Sequence, residues 1–151
     1  MQEQTIFDLL YPQFKIDKPI RLIELFAGIG SQATALKRLG VPFEHWRISE
    51  WAVKSIMAYK NLHFTDEHYD YSKGLTKDEL VDCLFKKGIS SNYNEPMEKQ
   101  QIAKLNESQL REIYNDVIIT HNVGNIQNVK GDDLEITNTD IYIYICTYSF
   151  P

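Results

Sequence analysis

Residues 20–31 read Ile-Arg-Leu-Ile-Glu-Leu-Phe-Ala-Gly-Ile-Gly-Ser, and their pattern gives the clearest indication of the fold. The run from Ile20 to Phe26 is rich in β-branched and aromatic side chains, which favours a strand. Residues 28–33, Gly-Ile-Gly-Ser-Gln-Ala, fit the pattern G-x-G-x-x-A, which joins a strand to a helix in nucleotide-binding folds. We expect Ser31 to cap that helix and Gly40 to end it.

A second strand and a second helix follow directly. Residues 45–49 predict a strand, and residues 51–62 carry apolar side chains at helical spacing. Glu50 lies between them, 22 positions after Gly28. In doubly wound sheets the glycines let the backbone approach a nucleotide, and a distant carboxylate accepts hydrogen bonds from the ribose hydroxyls. The sequence therefore predicts a nucleotide-binding loop with Glu50 as its ribose contact.

The charge beside this loop indicates which nucleotide is bound. A dinucleotide brings a pyrophosphate, which favours a helix N-terminus free of anions. Glu24 lies four residues before Gly28, where a carboxylate suits the sulfonium and ammonium groups of S-adenosylmethionine. Phe26 and Trp51 can offer aromatic faces to the sulfonium or to adenine. We therefore expect S-adenosylmethionine rather than a nicotinamide dinucleotide.

The rest of the chain alternates polar and apolar stretches. Residues 64–122 are rich in polar side chains and contain two capping-box patterns, at residues 76–79 and 106–109, each followed by an amphipathic helical pattern. Residues 140–148 form a continuous β-branched and aromatic run, typical of a parallel strand buried on both faces. The order strand, helix, strand, helix, further helices, strand predicts an α/β fold.

Length and composition limit the class of protein. At 151 residues the chain is one domain or part of one, and its 43% of hydrophobic residues suffices for a packed core. The net charge is −5 and the Lys and Arg residues are scattered, so no DNA-binding stripe is predicted. No apolar run approaches the roughly 20 residues of a membrane span, and no signal peptide is visible. Two cysteines cannot form a disulfide framework, so we expect a cytoplasmic protein without a membrane partner.

Four short segments resemble DNA (cytosine-5) methyltransferases. Residues 24–31, Glu-Leu-Phe-Ala-Gly-Ile-Gly-Ser, resemble the family's first motif, and Ser49-Glu50-Trp51 is similar to the second, whose Glu holds the cofactor ribose. Residues 124–126 resemble the third motif, with Asn125 in place of the usual Asp; its amide oxygen can still accept from the adenine amino group. Residues 147–151 resemble the strand exit before the catalytic Pro-Cys dipeptide. The resemblance implies a cofactor site built from Glu24, Phe26, Ala27, Gly28, Ile29, Gly30, Glu50, Trp51, Asn125, Ile126 and Pro151.

The resemblance also implies a fold and a division of the chain. The fold is a partial Rossmann-like S-adenosylmethionine-dependent methyltransferase fold with a helical insertion. Residues 1–18 form an N-terminal extension, and residues 19–63 form the cofactor-loop and ribose-binding half. Residues 64–122 form the helical insertion, and residues 123–151 form the adenine-side loop and a buried strand that leads to the catalytic loop.

The implied function is the amino-terminal, S-adenosylmethionine-binding part of a DNA methyltransferase of the restriction-modification type. The family's nucleophilic Cys would follow Pro151, so we expect a truncated, catalytically incomplete chain with no catalytic residue of its own and a weak or incomplete cofactor site. DNA is expected as a partner only of the full enzyme. The alternative is a non-catalytic binding module or split-enzyme subunit that acts through a complementing C-terminal fragment or another protein. An uncovered sheet edge would also favour self-association.

Other reactive side chains are predicted to be structural. Cys83 falls in an amphipathic helix and Cys146 in a buried strand, so both are expected to be inert core thiols. The acidic and histidine residues between His63 and Asp70 fit no zinc spacing, so a solvated charged loop without a metal is expected there.

Overall fold

Three parallel strands form a small sheet, which agrees with the expected α/β class. The structure is a computed structural model that describes residues 18, 20–137 and 141–146. Within them three strands pair in the order β2-β1-β3: β1 is Ile20–Leu25, β2 is Phe43–Ser49 and β3 is Ile141–Cys146. Both pairings are parallel, with Ile20 opposite Phe43 on one side. The carboxyl ends of β1 and β2 therefore meet at the same edge, where the glycine loop and Glu50 follow.

Five α-helices and two short 3-10 helices complete the described part of the chain. They are α1 (Ser31–Arg38), α2 (Val53–His63), α3 (Lys77–Lys87), α4 (Lys99–Ala103) and α5 (Glu107–Ile119), with 3-10 turns at Ile126–Asn128 and Gly131–Leu134. Of the helices in the described ranges, none has the length and apolar character needed to cross a membrane.

The predicted start of α1 is wrong by one residue. Gly30, with φ of 77°, precedes the helix, and Ser31 is its first helical residue. The Ser31 hydroxyl hydrogen-bonds the Gln32 amide oxygen at 3.0 Å instead of capping the helix. A side chain of the sheet accepts a hydrogen bond from the first turn of α1: the Ala33 N–H donates to the carboxylate of Glu24, on β1, at 3.3 Å.

The second strand and helix also begin at different residues from those predicted. β2 starts at Phe43, two residues before the expected start. α2 starts at Val53 rather than Trp51, because the Glu50 carboxylate accepts hydrogen bonds from the N–H groups of Trp51 and Ala52, and Ala52 keeps an extended backbone. In the second motif Ser49 therefore ends β2, while Glu50 and Trp51 lie in the connection to α2.

Both predicted capping boxes are confirmed. Thr76 caps α3 by accepting from the Glu79 N–H, and Asn106 caps α5 by accepting from the Gln109 N–H. Their apolar faces pack on α2 and α4, in a core whose members include Ile56, Leu80, Leu84, Ile102, Leu110, Ile113 and Val117. α4, which the sequence patterns did not predict, contributes Ile102 to this core. The helices of residues 64–122 thus form one apolar cluster with α2.

The stretch after α5 runs along the outer side of β2. His121 accepts a hydrogen bond from the Ile48 N–H at 3.3 Å, and the Val123 N–H donates to the Ile48 carbonyl at 2.8 Å. This short parallel bridge brings the third motif beside the second. Three predicted parts of the chain lie outside the described residues: positions 1–17 of the N-terminal extension, the strand exit at 147–151 and the site residue Pro151.

Candidate functional site

The three motifs in the described residues meet around one cavity. It has a volume of about 380 Å³ and lies at the carboxyl ends of β1 and β2. Its lining residues are Phe26, Ser49, Glu50, Trp51, Tyr93, Asn125, Ile126 and Gln127. Five of these are predicted site residues, drawn from three stretches that are far apart in the sequence. Glu24, Ala27, Gly28, Ile29 and Gly30 are not among the described residues that line it.

Glu50 joins the first motif to the second. One carboxylate oxygen accepts from the Gly28 N–H at 2.8 Å. The other accepts from the N–H groups of Trp51 and Ala52, both at 2.8 Å. The side chain is only 9% exposed. Since a carboxylate oxygen has two acceptor positions, the oxygen that binds Gly28 retains one for a ligand hydroxyl.

The glycine loop has one open and one packed residue. Gly28 has φ of 54°, and among the described residues no atom lies within 4 Å of where its Cβ would stand. Gly30 has φ of 77°, and a Cβ there would lie 2.3 Å from His63 Nε2 and 2.6 Å from Tyr59. Phe26, which is not a glycine, also takes a left-handed conformation at φ of 61°. The loop therefore borders open space at Gly28 and packs against α2 at Gly30.

Glu24 lies behind this loop rather than in the cavity. It is 1% exposed, and its two oxygens accept from the Ala33 N–H and, at 2.5 Å, from the Tyr59 hydroxyl. Burial raises the pKa of Glu24, while these two hydrogen bonds oppose the rise. Its carboxylate thus ties β1 to the start of α1 and to α2.

Two histidines outside the motifs lie near the same loop: His63 contacts the loop itself, and His45 contacts Tyr59 beside it. His63 Nε2 lies 3.0 Å from the Ile29 carbonyl, so the ring donates there, and Nδ1 then accepts from Lys37 Nζ at 3.3 Å. His45 Nδ1 lies 2.8 Å from the Tyr59 hydroxyl. Burial lowers the pKa of His63, and burial together with the neighbouring cations lowers the pKa of His45 to about 3. The low pKa of His45 means that its ring is neutral at pH 7.

Asn122 joins the second motif to the third. Its amide oxygen accepts from the N–H groups of Glu50, at 3.2 Å, and Gly124, at 2.8 Å, while its amide nitrogen donates to the Glu50 carbonyl at 2.9 Å. The Ser49 hydroxyl donates to the Gly124 carbonyl at 2.8 Å. Sequence patterns did not single out Asn122, because its partner Glu50 lies 72 positions away.

Asn125 is buried and faces the cavity. Its N–H donates to the Lys87 carbonyl at 2.8 Å, and its side-chain oxygen accepts from the Gln127 N–H at 3.0 Å. Gly124 has to be a glycine, because a Cβ there would lie 2.3 Å from the Lys87 carbonyl oxygen. The amide oxygen of Asn125 keeps a second acceptor position.

The two cysteines lie on different elements of the described chain. Cys83 is half-buried on α3, and burial raises the pKa of its thiol, which disfavours the reactive thiolate. Cys146 lies in β3 opposite Leu25. The described residues contain no group of three His, Cys, Asp or Glu side chains placed to hold a metal. A larger cavity of about 580 Å³, beside Arg47, Lys87 and Asp133, contains none of the predicted site residues.

Two curated proteins match the chain over most of its length. The orphan methyltransferase M.SssI of Spiroplasma monobiae is 31% identical over 135 residues, which cover 89% of this chain and 34% of that protein. The type II methyltransferase M2.ScrFI of Lactococcus lactis subsp. cremoris is 30% identical over 138 residues, 87% of this chain and 35% of that protein. The chain therefore spans about a third of the length of these relatives. No protein-family model matches it.

Fold, motifs and relatives converge on the methyltransferases as a class of protein. Within that class, the chain belongs to the DNA (cytosine-5) methyltransferase family, as its motifs predicted.

Proposed function

We propose that this chain is the amino-terminal, S-adenosylmethionine-binding part of a DNA (cytosine-5) methyltransferase, built on a Rossmann-like fold. The observation that carries the proposal is the convergence of Phe26, Glu50, Trp51, Asn125 and Ile126 on one cavity of about 380 Å³. The methyltransferase relatives support it independently. Under this proposal, residues 64–122 are a helical insertion between the ribose-binding half at 19–63 and the adenine-side segment at 123–151.

The cavity offers the groups that an adenosine requires. The free acceptor position on Glu50 suits a ribose hydroxyl, and the amide oxygen of Asn125 suits an adenine amino group. Phe26 and Trp51 supply aromatic faces for the base and the sulfonium. When bound, S-adenosylmethionine would supply the methyl group that the family transfers.

Binding should be weak. Asn125 replaces an acidic residue of the family's third motif, and the resemblance places part of the pocket wall in later segments of the enzyme. Each hydrogen bond lost to a bound polar group costs about 1 to 3 kcal/mol. In the full enzyme DNA would be the methyl acceptor, and the target base would be flipped out of the duplex.

Isothermal titration of the 151-residue chain with S-adenosylmethionine tests the proposal. We expect weak saturable binding that Glu50→Ala and Trp51→Ala each reduce. Tyr69→Ala is the matched control, because Tyr69 is exposed and not among the residues that line the cavity. Affinity that neither cavity variant changes, or preference for a nicotinamide dinucleotide, would contradict the proposal.

A second function follows from the position of β3 in the sheet. Among the described strands β3 lies at the edge and pairs with β1, and an edge strand can pair with another chain. This favours a split-enzyme subunit or binding module completed by a C-terminal fragment or another protein. Restored methyl transfer on mixing with a segment that starts at the catalytic Cys would distinguish this function.

A further inference from the structure

We propose that Tyr93, on the turn between α3 and α4, binds the nucleoside half of the cofactor, so that the 64–122 segment completes the site. The inference rests on the proposed function. Tyr93 belongs to none of the motifs, yet it lines the same cavity as Glu50, Trp51 and Asn125.

The turn that carries Tyr93 is attached to the second motif by its backbone. The Ser90 N–H donates to the Trp51 carbonyl at 2.7 Å, and the Val53 N–H donates to the Ser90 carbonyl at 2.9 Å. These two bonds form a short parallel bridge around Ala52. The position of the turn is therefore fixed relative to the cavity without any ligand.

The turn is also fixed internally. The Ser90 hydroxyl accepts from the Tyr93 N–H at 3.1 Å and from the Asn92 N–H at 3.3 Å, and it donates to the Glu95 carbonyl at 2.6 Å. The Asn92 side chain accepts from the N–H groups of Asn94 and Glu95. Such a closed set of side-chain bonds holds residues 90–95 in one conformation.

Tyr93 itself has features that stability does not explain. Its φ of 65° lies in the left-handed region that a bulky residue rarely adopts. Its side chain is 53% exposed, so the ring contributes little buried area in return. The hydroxyl lies 3.3 Å from the Ser55 hydroxyl on α2, which fixes the ring's direction. Strained residues of this kind cluster at ligand sites.

The chemistry of the cavity identifies what Tyr93 meets. Three aromatic rings, Phe26, Trp51 and Tyr93, line it together with the acceptors on Glu50 and Asn125. Flat rings stack on a nucleobase, while the acceptors suit hydroxyl and amino donors. Because the acceptors on Glu50 and Asn125 suit ribose hydroxyls and an adenine amino group, this cavity corresponds to the nucleoside half.

The test uses the 151-residue chain and isothermal titration with adenosine, S-adenosylmethionine and methionine. Tyr93→Gly removes the ring and tolerates the positive φ, and Tyr93→Phe keeps the ring. Asn94→Gly loosens the same turn without touching the cavity lining and is the matched control. Tyr93→Gly should reduce the affinity for adenosine and for S-adenosylmethionine at least about fivefold. This factor corresponds to the lower end of the free energy lost with one base–aromatic stack. The affinities of Tyr93→Phe and Asn94→Gly for both ligands should stay within about twofold of that of the unmodified chain.

The outcomes separate the two proposals. If the unmodified chain binds adenosine and Tyr93→Gly binds it equally well, the role of Tyr93 is overturned and the cofactor site stands. Equal losses in Tyr93→Gly and Asn94→Gly would also overturn it, because turn rigidity would then explain the effect. If the unmodified chain binds neither adenosine nor S-adenosylmethionine, the proposed function fails and this inference fails with it. Thermal melting of each variant checks that the fold is unchanged.

Discussion

Glu50→Gln should destabilise the folded protein even without a ligand. The carboxylate accepts three backbone hydrogen bonds, from Gly28, Trp51 and Ala52, each at 2.8 Å. The glutamine oxygen will take the place that receives two of them, because this arrangement loses fewest bonds. The amide nitrogen then faces the Gly28 N–H, donor against donor.

The expected cost follows from those three bonds. The lost bond to a charged acceptor is worth about 1.5 to 3 kcal/mol. The other two change from charge-assisted to neutral hydrogen bonds, which removes roughly 0.5 to 1 kcal/mol each. The sum is about 2.5 to 5 kcal/mol, a large part of the roughly 5 to 15 kcal/mol that stabilises a typical domain.

Urea unfolding followed by circular dichroism measures this free energy. Glu44→Gln is the control, since Glu44 is an exposed carboxylate whose ion pair with Arg21, at 3.4 Å, is worth about 0 to 1 kcal/mol. An ordinary surface substitution changes the free energy of unfolding by about 0.5 kcal/mol or less. If the change for Glu50→Gln is no larger than that, the carboxylate does not hold the loop. Its role would then be confined to the ligand.

Three further predictions concern pH, association and catalysis. Because the folded pKa of His45, about 3, lies below the unfolded value of about 6.5, the unfolded chain binds an extra proton below pH 6.5. Stability should therefore fall on acidification more steeply in the unmodified chain than in His45→Asn, and parallel slopes in urea unfolding would contradict this. Burial raises the pKa of Asp116 to about 6, so its contribution to the pH dependence of stability has the opposite sign. Because both proteins contain Asp116, that contribution cancels in the comparison. Light scattering should show dimers or larger species that associate through β3, the edge strand among those described, and a monomer at high concentration would contradict this prediction. The 151-residue chain alone should transfer no labelled methyl groups to DNA, because its cysteines are a half-buried Cys83 of raised pKa and Cys146 within β3; methylation abolished by Cys146→Ser would refute this.

Local sequence patterns predicted the elements whose causes are local. The strand and glycine loop at residues 20–30 and the boxes at residues 76–79 and 106–109 depend on residues within one or two turns of each other. The α/β class followed from the order of these elements. Ser31 does not cap α1 as predicted, because Gly30 precedes the helix and the Glu24 carboxylate accepts from the Ala33 N–H in place of a serine hydroxyl.

Contacts between distant residues could not be predicted in this way. Asn122 hydrogen-bonds Glu50, which lies 72 positions away in the sequence. The turn with Tyr93 is joined to the second motif by backbone hydrogen bonds, which any residue type can form and which sequence patterns therefore do not reveal. Charge reasoning placed Glu24 near the ligand. In the structure its oxygens accept from Ala33 and Tyr59, partners that only the packing of α1 and α2 supplies.

The candidate site separates the groups that hold it from the groups that would recognise a ligand. Glu50 and Asn122 join different stretches of the chain through side-chain hydrogen bonds to backbone groups, and Ser90 does so through its own backbone. Trp51 and Tyr93 line the cavity from positions that those bonds fix. Replacing the Tyr93 ring should therefore change what the cavity binds more than it changes stability, whereas replacing the Glu50 or Asn122 side chain should change both. Such a division lets one scaffold carry different ligand contacts, because specificity can vary without unfolding the loop that supports it.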